Sequence, residues 1–439
     1  MIGRVERVVY GGLGLLRTSP EVAETRGTGA FVPFTLANEL VELEPQGKGN
    51  QLVSVLEASP ERVHPACPHF GLCGGCHLQM ASYSEQLRIK HEVLRESLQR
   101  AGVLRVPAIA THAGEAWGYR NRIRLHVLRD AGALYLGYRE RESKAVFAAR
   151  TCPIAAPLLW QAAEAILSLG TSSADMHRWL TAAEEVELFC DDALQKAQIT
   201  FIQKAKQSSL SQGSFARAME ALQAIVPEVA GAGFVQVHPR TGEHQHQIAT
   251  WGAAGLSYRV GDESYWVSRG GFFQVNRFLL PTMVDLVCAG RRGALAWDLF
   301  AGVGLFARVL ASNFERITAV EANPAAAGEL ASALRKEGPQ HAACRSTTLP
   351  FLRRAALERD RPDLIVLDPP RAGAGPEACE FLVRIGSPVV VYVSCDPVTL
   401  ARDLAVLQAG GYEISALHLV DLFPQTYHQE AVVVLHRRS

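Results

Sequence analysis

The chain of 439 residues has no net charge, because 44 Lys and Arg stand against 44 Asp and Glu. No single-sign surface dominates it, so any contact with nucleic acid has to be a local patch. It has no uncharged apolar run near the roughly 18 residues of a membrane span, which argues against a membrane partner. Behind Arg4, Glu6 and Arg7 there is no apolar stretch of the kind a secretory signal carries. The expected location is cytoplasmic. Internal repeats and low-complexity tracts are absent as well. Hydrophobic residues at 48% and charged residues at 20% exclude a disordered or fibrous chain. Cysteine is sparse, with nine in all. In a reducing compartment these are not expected to build a disulfide framework, so their clustering points to a metal or to catalysis. At roughly 150 residues per domain, the length suggests about three domains.

The pattern changes twice along the chain. Residues 1–59 read as a small β domain, with strands at Val5–Tyr10 and Leu52–Leu56 and turns at Gly11, Gly12 and Gly14. A Cys/Gly/His-rich stretch, 60–80, precedes a helix over 84–101, with Leu87, Leu94 and Leu98 on one face and Gly102 as its stop. Residues 117–258 mix strands (123–128, 134–138, 185–189, 199–202) with helices near 155–169 and 214–225. They are expected to form an α+β domain on an antiparallel sheet. From about 290, strands and helices alternate. The runs 364–368 and 389–394 are apolar up to their last residues, Asp368 and Ser394, as buried parallel strands are. Ile414–Leu422 and Ala431–His436 are spaced as a closing hairpin. The expected fold there is doubly wound α/β with one reversed edge strand.

Chemistry-bearing residues gather at the strand ends of this last part. Asp298-Leu-Phe-Ala-Gly-Val-Gly304 ends its first strand and opens a helix. Glu321 ends the next strand about 20 residues on, where an acid can bind ribose hydroxyls. A dinucleotide site would want a third glycine, and Ala307 stands there. An acid ahead of the glycines favours a cationic nucleoside without a pyrophosphate, and S-adenosylmethionine fits. Asp368-Pro-Pro-Arg371 follows the fourth strand, with Arg371 where amine methyltransferases carry an aromatic residue. Cys395 ends the fifth strand, and Asp396-Pro397 reads as the cap and first residue of a helix. Such a helix end lowers a thiol pKa, while the neighbouring Asp396 opposes it. Glu430 begins an antiparallel strand and so faces the same edge. The bland alternatives are a buried strand cysteine and a hairpin-capping glutamate.

Cys67, Cys73 and Cys76 place three thiols within ten residues, with Gly74 and Gly75 allowing a tight loop. Cys152, before a proline, is the best fourth ligand, and His69 and His77 are zinc-style alternatives. Three close cysteines plus one distant one suit a [4Fe-4S] cluster better than zinc, whose ligands usually come as two close pairs. Cys190, Cys288, Cys344 and Cys379 read as core. Residues 117–150 carry eight basic residues against three acidic ones, an excess of five, with Tyr119, Tyr135 and Tyr138 interleaved. Arg120, Arg122 and Arg124 are expected on one strand face, either as an RNA-binding patch or as a plain solvated face.

Together these residues resemble the RNA uracil-5 methyltransferase family, in its iron–sulfur, TRAM-domain branch (RumA/RlmD-like). Val9-Tyr-Gly-Gly-Leu-Gly14 with Phe31-Val-Pro33 is similar to a TRAM domain. Phe272-Phe-Gln-Val-Asn276, the Asp298 loop, Asp368-Pro-Pro-Arg, Ser394-Cys-Asp-Pro and Phe423-Pro-Gln-Thr-Tyr-His-Gln-Glu430 are similar to further family motifs in the family's order. The resemblance implies a multidomain chain. It would have a TRAM/OB-like RNA-binding β-barrel (1–59), a central α+β RNA-binding domain with an Fe–S loop (60–258) and a class I, Rossmann-like methyltransferase domain (259–439). It implies Gln274, Phe300, Glu321 and Asp368 as donor-binding residues and Cys67, Cys73, Cys76 and Cys152 as cluster ligands. Cys395 would be the nucleophile and Glu430 the general base. The implied reaction is S-adenosylmethionine-dependent methylation of uridine C5, with ribosomal RNA favoured over the T-loop of transfer RNA, by a monomer; the rival from another class is a catalytically silent Fe–S RNA-binding protein, against which an intact Cys395 and Glu430 argue. Ala301, Leu305 and Gln429 depart from the family's usual residues, and 343–348 lacks the acid or amide that often flanks the donor's adenine.

Overall fold

The computed structural model describes residues 1–16, 29–46, 49–203, 211–238 and 244–438. Strands β1 (Ile2–Val9), β2 (Leu13–Leu16), β3 (Ala30–Pro33), β4 (Leu40–Gln46) and β5 (Gly49–Glu57) form an antiparallel sheet in the order β3-β2-β1-β4-β5. Alternate residues point inward, so Val5, Leu16, Val32, Val41 and Leu43 make a small core of their own. The sheet curls until its outer strands β3 and β5 lie side by side.

Helix α1 (Tyr83–Arg100) starts at Ser82, whose hydroxyl accepts from the Glu85 N–H, and stops at Gly102 with φ +73. Leu94 and Leu98 are buried as expected, but Leu87 is only half-buried. Gln86 and Lys90 share the inward face instead. After α1 comes β6 (Ile109–His112), which pairs parallel with a strand near the C-terminus. Residues 83–112 thus belong to the C-terminal layer, not to the central domain expected over 60–258.

The central sheet holds β7 (Arg122–Asp130), β8 (Ala133–Arg139), β9 (Val146–Ala148), β10 (Glu185–Cys190), β11 (Ala197–Gln203), β12 (Val229–Val237) and β13 (His244–Gly252). Helices α2 (Pro157–Ser172), α3 (Ala174–Ala182) and α4 (Gln212–Ile225) pack on it through Trp179, Phe215 and Phe234. The order is β13-β12-β11-β10-β7-β8-β9. The expected antiparallel pairing fails once, because β11 and β12 are parallel. Helix α4 supplies the crossover that a parallel pair requires. Helix α3 has no counterpart in the sequence reading.

Strands β14 (Gly255–Val260) and β15 (Glu263–Ser268) form a hairpin whose Tyr258 and Tyr265 pack into the C-terminal core. The domain boundary expected between 258 and 259 therefore falls inside β14. Helix α5 (Leu280–Cys288) leads into the last sheet. There follow β16 (Gly293–Leu299), α6 (Leu305–Ala311), β17 (Phe314–Glu321), α7 (Pro324–Glu337), β18 (Ala342–Arg345), α8 (Thr348–Glu358), β19 (Leu364–Leu367), α9 (Pro376–Ile385), β20 (Val389–Ser394), α10 (Pro397–Ala409), β21 (Tyr412–Val420) and β22 (Glu430–Arg437). The order is β18-β17-β16-β19-β20-β22-β21-β6. Apolar clusters cover both faces. The reversed strand is β22, as the hairpin spacing requires, but it is not at an edge. It fills the slot between β20 and β21, and β6 extends the sheet beyond them.

Candidate active site

The carboxyl ends of the parallel strands carry the acids. Asp298, fully buried near the end of β16, accepts from the Ala307 N–H at 2.9 Å and so braces the start of α6. The loop between them passes through left-handed conformations at Phe300 (φ +63), Gly302 and Gly304. A Cβ on Gly304 would stand 2.7 Å from the Leu330 side chain, so glycine lets α6 approach α7. Glu321 holds this loop, accepting from the Gly302 N–H at 2.8 Å and from the Asn323 N–H at 2.6 Å. The Gln274 amide donates to Asp368 at 3.2 Å, and the Gln274 carbonyl accepts from Asn121 of the central layer. Burial pushes the Asp298 carboxyl up to about 8, with Asp368 and Glu321 adding to it against the Ala307 N–H. Burial likewise raises Asp368 to about 7, against its bond from Gln274. Gln274, Phe300, Glu321 and Asp368 are thus brought to one edge.

The nucleophile candidate and the base candidate come from neighbouring strands. In the β20–β22 register Ser394 faces Ala431. One further step along this antiparallel pair sets Cys395 across from Glu430, with both side chains on the same face. Glu430 is 2% exposed, and its Oε1 has no hydrogen-bond partner among the described residues. Burial and the Asp368 charge hold its carboxyl well above the usual range, and Arg371 works against them. Cys395 is half-buried. Its thiol is pushed up to about 12 by burial and by the Glu430 and Asp368 charges, with Arg371 opposing. The lowered thiol pKa expected from a helix end is therefore not found in the free protein. Asp396 does cap α10, accepting from the Val398 and Thr399 N–H groups. Desolvation and two facing carboxylates outweigh that helix end.

Several neighbours of this pair escaped the sequence reading. Tyr10, in the turn after β1, donates to Asp396 at 2.5 Å. Its ring meets Tyr427 edge-on at 5.5 Å, and Tyr427 in turn meets His77 at 4.7 Å and His428 at 4.1 Å. Burial and nearby cations lower His77 to about 4 and His428 to about 3, so both imidazoles are neutral near pH 7. The Arg371 guanidinium donates to the His428 ring, 3.3 Å from Nε2. Gly12 lets this junction close, since its Cβ would lie 3.2 Å from His77 and 3.3 Å from Tyr427. On the other side Lys90 of α1 bonds Asp421 at 2.5 Å and the Phe423 carbonyl at 2.9 Å, pinning the segment that carries Glu430. Only the aromatic wording of 423–430 hinted at this junction, because its partners lie hundreds of residues away in sequence.

Residues 82–438 match the family described as tRNA (uracil-5-)-methyltransferase. The chain belongs to this family. It is an S-adenosylmethionine-dependent RNA (uracil-5-)-methyltransferase. An uncharacterized RNA methyltransferase of Streptomyces avermitilis is 32% identical, over 98% of this chain and 96% of that protein. The 23S rRNA (uracil(1939)-C(5))-methyltransferase RlmD of Shewanella amazonensis is 30% identical, over 98% and 94%. The fold matches the crystal structure of the Pyrococcus abyssi tRNA (uracil-54, C5)-methyltransferase, determined with S-adenosyl-L-homocysteine. The TM-score is 0.73 and the identity 20%, with 99% and 100% of the two chains covered. The family match begins at Ser82, the cap of α1, and so does not include the five-stranded unit or Cys67, Cys73 and Cys76.

In this methyltransferase the four cysteines named from sequence come together beside the central sheet. Burial raises the thiols of Cys73 and Cys76 to about 11 and about 12, and the Cys152 charge adds to both. Burial also raises Cys67, with Cys152 again adding. Among the described residues no three His, Cys, Asp or Glu side chains are set to hold a single metal ion. Neither His69 nor His77 joins such a group. Cys190, Cys288 and Cys379 are buried as expected, while Cys344 is only half-buried.

The arginine face is corrected. Arg120 lies outside β7 and is turned inward, where Tyr119 and Cys152 act on it. Arg122 and Arg124 do share a face of β7, but Glu187 of β10 bonds both, at 2.7 and 2.6 Å. Arg122 is 14% exposed and lies over the Phe189 ring. Glu187, with Glu185 near Arg124, thus meets the charge of these two arginines across the sheet.

Proposed function

We propose that this methyltransferase modifies a uridine of 23S ribosomal RNA through a covalent adduct between Cys395 and C6 of the base. One observation carries the reading: β20 and β22 bring Cys395 and Glu430 face to face at the edge that also holds Gln274, Glu321 and Asp368. When bound, the donor supplies a methyl group on a positively charged sulfur. Uracil C5 alone is a weak nucleophile. Addition of the Cys395 thiolate to C6 turns C5 into an enolate carbon, which takes the methyl group. Glu430 then removes the C5 proton, the C5–C6 double bond re-forms, and the thiolate leaves. The base must leave the RNA stack for its face to be reached. Arg371 supports the thiolate, since it opposes the carboxylates that hold the thiol proton. Ribosomal RNA is favoured because relatives bearing that substrate in their names align along nearly the whole chain.

Cys67, Cys73, Cys76 and Cys152 would hold a [4Fe-4S] cluster, and the surroundings fit one. Gln79 and Tyr138 bear on Cys76 and Cys152 through side-chain hydrogen bonds, Arg120 Nε is a buried donor without a partner among the described residues, and Tyr119, Ile154 and Phe278 pack against Cys76 and Cys152. Sulfur-rich clusters are held by thiolates and tuned by such donors. A cubane spreads its four thiolates over four irons and does not require three side chains to converge on one ion. Its part here is structural. The five-stranded unit would serve as a TRAM-like RNA-binding module, and the chain would act as a monomer in the cytoplasm. Among the described residues no helix is long and apolar enough to cross a membrane.

The decisive experiment incubates anaerobically purified protein with ribosomal and transfer RNA and labelled donor, then analyses the nucleosides by mass spectrometry. Labelled 5-methyluridine at one 23S position is the expected result. Label only in transfer RNA, or on another base, overturns the reading. The same preparation should hold about four irons per chain; stoichiometric zinc without sulfide would reject the cluster.

A further inference from the structure

The five-stranded unit lies outside the family match, yet one of its side chains reaches the turn that carries the nucleophile. Tyr10 stands after β1, where Gly11 (φ +95) and Gly12 (φ +74) send the chain back into β2. Its hydroxyl donates to Asp396 Oδ2 at 2.5 Å, across 386 positions of sequence. Burial and that carboxylate push the Tyr10 hydroxyl upward, so it keeps its proton and stays a donor. Asp396 directly follows Cys395, and its other oxygen accepts from the Val398 and Thr399 N–H groups at 3.0 and 2.9 Å. Ser394 closes the backbone of the same turn. Its hydroxyl donates to the Asp396 carbonyl at 3.1 Å and accepts from the Asp396 N–H at 3.3 Å. Thr399 donates to the Arg371 carbonyl at 3.0 Å, which joins this turn to the loop of the cation beside the thiol. Ser394 and Thr399 belong to the C-terminal layer; Tyr10 braces the turn from another unit.

We propose that Tyr10 is a positioning residue for the nucleophile: by holding Asp396 from the N-terminal unit, it fixes the turn that presents Cys395 to the extruded base. The inference rests on the reading of Cys395 as nucleophile. Addition of a thiolate to C6 depends steeply on where the sulfur stands, so a turn between strand and helix has to be held still. The bond also answers a charge problem. Glu430 and Asp368 already hold the Cys395 proton in place, and Asp396 is one chain step away. With a donor on each oxygen, the Asp396 charge is drawn to the helix start and to Tyr10. An unengaged oxygen would set a further like charge beside the thiol. The ring suits this part because it is itself held, with its edge against Tyr427 at 5.5 Å and 87°. The N-terminal unit thereby takes part in the chemical step as well as in holding RNA.

The test compares wild type with Tyr10→Phe, which keeps the ring and its packing and removes the hydroxyl. Adduct formation and methyl transfer are followed in a single turnover with RNA and S-adenosylmethionine both saturating. Tyr10→Phe should be about tenfold slower, the size of one lost hydrogen bond to a charged group. RNA affinity, measured in a Cys395→Ala background so that no adduct forms, should not change. Donor affinity by calorimetry should not change either. Asp396→Asn keeps an oxygen to cap α10 and removes the charged acceptor of Tyr10, so adding Tyr10→Phe to it should slow the reaction little further. A plain docking contact would lower RNA affinity or the melting temperature and leave the saturated rate as it is. That result overturns the inference, as does a double variant in which the two penalties multiply. If wild type itself forms neither adduct nor 5-methyluridine, the uridine reading falls and this inference with it.

Discussion

Two regions of this molecule bury ionisable groups in opposite ways. On the central sheet, Arg122 and Arg124 enter a crowded face and each finds Glu187. At the edge of the C-terminal sheet, Asp298, Asp368 and Glu430 are buried near one another, with Arg371 as the cation that acts on the Cys395–Glu430 pair. Asp298 Oδ1 and Glu430 Oε1 have no donor among the described residues. The first arrangement sets each arginine against an opposite charge, although Arg122 Nε and Nη2 keep no hydrogen-bond partner among the described residues. The second raises the pKa of acids that would otherwise be ionised, an arrangement common at functional sites. What separates the two regions is the sign of the neighbours: an opposite charge faces the central arginines, and like charges face the C-terminal acids.

The comparison breaks most visibly at Cys395 and Glu430. Cys395→Ala should abolish methylation and leave no RNA–protein adduct. Glu430→Gln should slow turnover by about 10²–10⁴-fold, while a covalent complex that survives denaturing electrophoresis accumulates. A well-folded, donor-binding Glu430→Gln protein with no adduct would make Glu430 a hairpin-capping residue after all.

A paired group should fail through the fold instead. Lys90 and Asp421 are both essentially inaccessible to solvent and bonded at 2.5 Å. Lys90→Met strands Asp421 and should cost about 3–5 kcal/mol in urea unfolding. Replacing Asp421 by Leu in the same protein should recover much of that loss. If Lys90→Met unfolds like wild type, this pair does not belong to the scaffold.

The acid cluster makes stability depend on pH in an unusual direction. Asp298 and Asp368 are raised to about 8 and about 7 in the folded protein, whereas an unfolded aspartate titrates near 3.9. Between these values the folded state holds protons that the unfolded state has released. Stability of the ligand-free protein should therefore fall as pH rises from about 4 to about 8 and then level. Asp298→Asn should flatten the fall. A profile that rises through this window would mean that the acids are ionised and paired.

The smallest effect is expected on the central sheet. Arg124 is 55% exposed, so Arg124→Ala should cost less than about 1 kcal/mol, and Arg122→Ala should cost more because Glu187 is buried beneath it. Equal losses from both would show that burial does not separate the two pairs.

Much of the C-terminal layer was legible because its signals are local. Apolar runs at 364–367 and 389–394 mark buried strands, and the Asp396-Pro397 cap fixes the start of α10. The alternation from β16 onward orders the sheet, so Cys395 and Glu430 could be assigned to one edge without coordinates. The cysteine spacing likewise picked out Cys67, Cys73 and Cys76, whose thiols feel the Cys152 charge in the fold. The tertiary structure decided what depends on distant partners. It decided that β22 enters the sheet between β20 and β21, that α1 and β6 cross to the C-terminal layer, and that Glu187 takes up the arginines. It also decided that Tyr10 reaches Asp396 across 386 positions of sequence, and that the Cys395 thiol lies high rather than low. Periodicity and capping are written in neighbouring residues. Burial and charge pairing are properties of surroundings, which come together only when the chain has folded.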